Sequence, residues 1–123
     1  MNYKTKQIKG KGRGKLLGYP TINLEIPDGF NEKEGIYAGW VWIEKKRYKG
    51  AFHFGPVPTF HETEKSLEVF LIDAVEKDLG NLEKNIIEFE LVKKIRDIVD
   101  FSTSQELSEK ITQDVKDIET ILS

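Results

Sequence analysis

The sequence predicts a mainly β domain: a small closed or nearly closed antiparallel barrel carrying one C-terminal α-helix. Three observations lead there. Between residues 35 and 95 the chain holds a succession of short runs rich in β-branched and aromatic residues, separated by polar or glycine-containing turns. The last stretch of about twenty residues changes to a helical period. A length of 123 residues with 38% apolar and 11% aromatic content fills one core and leaves no room for a second, so residues 1–123 are read as a single domain. Five or six short strands in so small a chain are most simply satisfied by closing on one another, which removes the exposed edges.

Residues 8–18, IKGKGRGKLLG, hold four of the ten glycines, a density that regular structure disfavours; this is a loop joining two strands. After it, Pro20 fixes its own φ and pushes Tyr19 to an extended conformation, so residues 21–24 leave a rigid point in one direction. IYAGWVWI and YKGAFHF read as a hairpin with EKKR as a four-residue polar turn. SLEVFLIDA (66–74) and NIIEFELVKKI (85–95) are further strands. In the second, Ile87, Phe89 and Leu91 alternate with Ile86, Glu88 and Glu90, and EKDLGN supplies the turn between the two. Trp40, Trp42, Phe52 and Phe54 could form a base-stacking platform, but core filling is the expected role of these aromatics. Ser102 with Gln105, or Thr103 with Glu106, offers a capping box. Leu107, Ile111, Val115, Ile118 and Leu122 then recur at helical spacing, and their stripe is expected to pack on the outside of the barrel.

Composition removes several kinds of chemistry. Without cysteine there is no disulfide, thiolate metal site or cysteine nucleophile. His53 and His61 lack a helical i, i+4 relation, so hard oxygen ligands for Mg²⁺ make the better metal hypothesis. No apolar run reaches the length of a membrane span or a signal peptide, and the expected location is cytoplasmic. The first 24 residues carry Lys4, Lys6, Lys9, Lys11, Arg13 and Lys15 with no acid; taking that +6 from the net −2 leaves −8 on the remainder. A basic strip on an acidic body suits a small polyanion better than a long nucleic acid.

The candidates for chemistry begin with the glycine loop, whose amides could converge on phosphate oxygens, although it fits neither GxxxxGK[ST] nor GxGxxG and would equally serve as a solvated turn. Thr21 and Asn23 lie at i and i+2, so a strand would present both to one face, where a hydroxyl and an amide oxygen can help hold Mg²⁺; the plain alternative is an edge-strand Thr and a turn Asn. Glu68 lies within a strand run. A strand carboxylate usually faces solvent, yet beside a nucleotide site it could accept a proton from an attacking hydroxyl. Arg96 and Phe101 flank the start of the helix, where they serve either as a surface ion pair and a hydrophobic staple or as contacts to a planar ligand.

The run GKGRGKLLGYPTINL (10–24) closely resembles the opening signature of the riboflavin kinase family. In the same order, GIYAGWVWI, FHFGPVPTF, LEVFLIDA and IRDIVDFSTSQEL resemble four more of its segments, so that nearly the whole chain is covered. The resemblance implies a six-stranded antiparallel Greek-key barrel with a C-terminal helix. It also implies ATP-dependent phosphorylation of the ribityl 5′-hydroxyl of riboflavin to FMN, with Mg²⁺ or another divalent cation. By that similarity Gly12, Gly14 and Lys15 would cradle the ATP phosphates, Thr21 and Asn23 would hold the metal or its phosphate, and Glu68 would be the general base. Arg96 and Phe101 would lie on the flavin side. Phe70 stands where the family often has His, His53 where it commonly has Asn, and Asp78-Leu79-Gly80-Asn81 where it has D-L-Y-G. The adenylyltransferase part of the bifunctional bacterial enzymes has no counterpart in these residues, so FAD synthesis is not expected.

Two further readings remain at this level: a flavin- or nucleotide-binding homologue without turnover, and a small barrel that binds single-stranded RNA through its basic strip. The expected partners are otherwise small molecules, riboflavin and ATP, with no membrane; the sequence is silent on oligomeric state.

Overall fold

A computed structural model describes residues 2–8, 19–61, 63–74 and 86–123. Among the described residues, six strands, β1 (Asn2–Ile8), β2 (Thr21–Leu24), β3 (Gly35–Ile43), β4 (Lys46–Gly55), β5 (Ser66–Leu71) and β6 (Ile86–Arg96), are followed by one α-helix, α1 (Ser104–Ile121). The strands close into an antiparallel barrel in the order β1-β2-β5-β4-β3-β6. Within that order β2 lies beside β5 while β3, β4 and β5 follow one another, which is a Greek key. The expected barrel and helix are therefore both present.

Alternation along each strand separates two packing layers. Ile22, Leu24, Val41, Phe52, Leu67, Val69, Leu71, Ile87 and Phe89 point inward and are essentially inaccessible. Each such side chain contributes about 1.5–3 kcal/mol of burial. Phe30 closes one end of the barrel, with its ring edge-on to Tyr3 at 4.9 Å and to Phe54 at 4.8 Å. Gly39 and Gly50 are partners across the β3–β4 ladder, and a Cβ on either would meet the Phe52 ring, at 2.7 and 3.1 Å. Their missing side chains make the room that this ring occupies.

The hairpin departs from the expected four-residue turn. Pairing continues to Ile43 opposite Lys46, and only Glu44 and Lys45 turn, both at positive φ (49° and 73°). That is the two-residue geometry whose twist matches the flanking strands, adopted here without glycine. Of Trp40, Trp42, Phe52 and Phe54, core filling holds for only two. Phe52 and Phe54 are inside, whereas Trp40 and Trp42 share the outer face because residues two apart point the same way. Trp40 packs beside the helix under the guanidinium of Arg47, 3.9 Å from its ring.

The outer layer is made by α1. Thr103 is its N-cap, its hydroxyl accepting from the Glu106 amide at 3.1 Å. Ile111, Val115, Ile118 and Leu122 bury against Ala38, Ala51 and Phe70. These three strand residues are neighbours in one cross-strand row, and the two alanines leave a shallow seat into which the helix settles. Covering this part of the outer wall creates the sheltered space in which the candidate site lies.

Candidate active site

The register of the sheet lines up a single row of side chains across five strands. Asn23 on β2 pairs with Glu68 on β5, Glu68 with His53 on β4, His53 with Ile36 on β3, and Ile36 with Arg96 on β6. Thr21 pairs with Phe70 in the next row of the same face. The last step of the first row depends on a bulge: the β3–β6 register shifts between Ile36 and Tyr37, which places Arg96 opposite Ile36.

Between this row, the first half of α1 and two loops lies a cleft of about 730 Å³ including its open mouth. Its walls are largely apolar: Ile36, Val57, Phe60, Phe70, Ile98 and Phe101 are among them, with Glu68, His53, Arg96 and Asp114 as the charged or titratable groups. Apolar walls with a few convergent polar groups are what a planar organic ligand requires. The segment 56–61 contains a 3₁₀ turn at Pro58–Phe60, and the Thr59 hydroxyl accepts the amide hydrogen bond of Phe101 at 3.0 Å, tying two rims of the cleft together.

Glu68 departs from the usual strand carboxylate on the solvent face. It is only 3% exposed, because the helix and loops cover the stretch of outer wall on which it stands. His53 beside it points its Nε2 at the carbonyl oxygens of Gly55 (3.1 Å) and Pro56 (3.2 Å). Two acceptors require that this nitrogen carry the proton. The Thr21 hydroxyl donates to the Tyr19 carbonyl at 3.2 Å, which leaves its oxygen lone pairs available.

Arg96 is not the exposed ion pair that its position at a strand end suggests. Its Nε lies 3.0 Å from both carboxylate oxygens of Asp114 and its Nη2 2.7 Å from Oδ2, while Nη1 donates to the Asp97 carbonyl at 3.0 Å. Asp114 is 2% exposed, and Lys110 one turn earlier adds a second cation at 3.9 Å. The Phe101 ring centroid is 6.0 Å from the guanidinium carbon. Asp114 is a residue that the sequence reading did not single out. Its signal was phase: a lone acid between Ile111 and Val115, inside the apolar stripe of the helix.

The structure thus brings Asn23, Glu68 and Arg96 into one row, with Thr21 one row away and Phe101 at the rim. Gly12, Gly14 and Lys15 lie outside the described residues, as do residues 78–81. Among the described residues no group of three or more His, Cys, Asp or Glu side chains is placed to hold a metal. A hydroxyl and an amide oxygen from Thr21 and Asn23 are nevertheless hard oxygen donors. They fit Mg²⁺, which takes few protein ligands and keeps much of its water. Among the same residues no helix is long and apolar enough to cross a membrane.

The chain is 34% identical over 111 residues to a bifunctional riboflavin kinase/FMN adenylyltransferase of Buchnera aphidicola, covering 88% of this chain and 34% of that protein. It is 32% identical over 111 residues to a protein of the same description from Bacillus subtilis, covering 87% of this chain and 34% of that one. The chain therefore spans about a third of the length of these relatives. A solved structure described as a macrolide-efflux protein from Streptococcus pneumoniae superposes with a TM-score of 0.76 at 24% identity, over 94% of this chain and 37% of that one, which shows a shared fold. The family model for riboflavin kinase (Flavokinase) matches residues 1–122, and the chain belongs to that family.

Proposed function

We propose that this domain transfers the γ-phosphoryl group of ATP to the ribityl 5′-hydroxyl of riboflavin, giving FMN and ADP. The observation that carries the reading is the cross-strand pairing of Asn23 with Glu68, a buried carboxylate that lines a largely apolar cleft. The isoalloxazine ring lies in the cleft beside Phe101 and Arg96, and the ribityl chain runs toward Glu68. That carboxylate takes the proton of the 5′-hydroxyl as its oxygen attacks the γ-phosphorus and ADP departs.

Phosphoryl transfer passes through a loose transition state, so alignment and charge neutralisation matter more than covalent participation. Thr21 and Asn23 orient the phosphate end of the nucleotide, and Gly12, Gly14 and Lys15 supply amides and a positive charge to it. Mg²⁺, held through Thr21 and Asn23, would supply neutralisation of the phosphate oxygens when bound. The sheltered position of Glu68 keeps bulk water away from the transferred group.

Incubation with riboflavin, ATP and Mg²⁺, followed by chromatographic separation of the flavins, tests the proposal. FMN appearing with equimolar ADP is expected. Its absence across several nucleotides and divalent metals would remove the claim of turnover, and tight riboflavin binding under those conditions would leave a binding module.

A further inference from the structure

The cleft holds a buried charge pair, Arg96 with Asp114, whose acid the proposed phosphoryl transfer does not use. Asp114 projects from the apolar face of α1 and grips Arg96 through Nε and Nη2, at 2.7 to 3.0 Å. As a device for holding the helix down, this pair is a poor choice. Desolvating two charges offsets most of their attraction, and an apolar pair of similar volume would hold the helix as well or better. An apolar pair could not, however, fix the plane of a guanidinium group.

The geometry fixes that plane closely. A guanidinium has five N–H donors. Nε, Nη1 and Nη2 each engage a protein acceptor, with Asp114 on one side and the Asp97 carbonyl on another. One N–H on each terminal nitrogen then remains for a ligand in a cleft whose other walls near Arg96 are Ile36, Ile98 and Phe101. Arg96 follows a bulge in β6 and is 14% exposed, so the strand alone leaves its long side chain several rotamers; the rigid helix supplies the anchor.

We propose that Asp114 is a positioning residue for flavin recognition: it sets the Arg96 guanidinium so that its remaining N–H groups meet acceptor atoms on the edge of the bound ring. This rests on the kinase reading above in placing riboflavin in the cleft. It makes α1 part of the substrate site, and it assigns to Asp114 a role exerted only through Arg96.

The experiment is a mutant cycle read by steady-state kinetics with riboflavin, ATP and Mg²⁺. Asp114→Asn is expected to raise the KM for riboflavin about ten- to hundredfold, the worth of a misaligned charged hydrogen bond, and to leave the KM for ATP within about twofold. Arg96→Met should raise the riboflavin KM by a similar factor. In that background the further change Asp114→Leu should alter it by less than about twofold, since an effect exerted through Arg96 cannot be lost again. A riboflavin KM within about twofold of wild type in Asp114→Asn would overturn the proposal. So would a penalty for Asp114→Leu on top of Arg96→Met as large as that of Asp114→Asn alone, which would mark Asp114 as a helix-packing residue.

Should Asp114→Asn fail to fold, Asp114→Glu keeps the charge and shifts the carboxylate by one methylene; an elevated riboflavin KM is expected from it, and an unchanged one overturns the role. Wild-type protein that binds riboflavin without forming FMN would sink the kinase reading alone. The same cycle would then be read as riboflavin Kd by quenching of flavin fluorescence. Wild-type protein that neither binds nor phosphorylates riboflavin would sink both.

Discussion

Asn23 and Glu68 stand opposite each other on β2 and β5, two strands that are adjacent in the barrel although more than forty residues separate them in sequence. An amide and a buried carboxylate are thereby held on one rigid wall. Glu68→Gln removes the proton acceptor while keeping shape. It is expected to lower kcat for FMN formation by about 10²- to 10⁴-fold and to leave riboflavin affinity within a few-fold. Parallel loss of turnover and flavin binding would instead make Glu68 a structural residue.

Thr59 and Phe101 join two rims of the cleft through one hydrogen bond between a turn hydroxyl and a backbone amide. Thr59→Val removes the acceptor and keeps the side-chain shape. A stability loss of about 1 kcal/mol in denaturant unfolding is expected, with a weaker affinity for riboflavin and an unaltered KM for ATP. An affinity equal to wild type would show that the cleft keeps its shape without this tie.

Gly39 offers a test of the barrel interior. A Cβ there would press on the Glu90 carbonyl and approach the Phe52 ring to 2.7 Å, and backbone in a closed ladder cannot step aside. Gly39→Ala should cost about 1–3 kcal/mol or more by thermal or denaturant unfolding. A variant as stable as wild type would mean that the β3–β6 ladder can open at Glu90 and that Phe52 can repack.

Tyr3 donates its phenolic hydrogen to Glu32 at 2.7 Å, and this bond, followed by partial burial, pushes its pKa up from 10.0 to about 12. The protonated phenol is the form that the fold favours. Its contribution to stability is therefore full below pH 10 and declines as the pH rises toward 12. Tyrosinate absorbance should show a late-titrating step that moves down in Glu32→Gln. A step unmoved by that substitution would assign the shift to a different tyrosine or cause.

Part of the candidate site is legible in the sequence. The spacing of Thr21 and Asn23 places both on one strand face, and Glu68 falls within a strand run; the register sets Asn23 opposite Glu68. Arg96 and Phe101 were legible as neighbours of the helix start but not as a buried pair and its rim. The reason is that bulges and burial are not periodic. A register shift next to Ile36 carries Arg96 into the row, and nothing in the local spacing announces it. Asp114 was visible only as an acid in the wrong phase of the helix, while Thr59 left no pattern at all, since its partner is 42 residues away.

The misassigned tryptophans make the same point from the other side. Alternation requires Trp40 and Trp42 to share a face, but it does not say whether that face is inside; the helix laid on the outer wall gives Trp40 its shelter there.

From its order of residues alone, this protein's strand periodicity, its terminal helix and cap, its proline-fixed strand and the facial pairing of Thr21 with Asn23 could be derived, because each follows from the dihedral preferences of a few consecutive residues. Tertiary structure decided which strands became neighbours, which face of the sheet was covered, and hence that Glu68 and Asp114 are buried in the same cleft. Those outcomes come from closing the barrel and seating α1 on Ala38 and Ala51, where burial is satisfied by the whole chain at once rather than by any local segment.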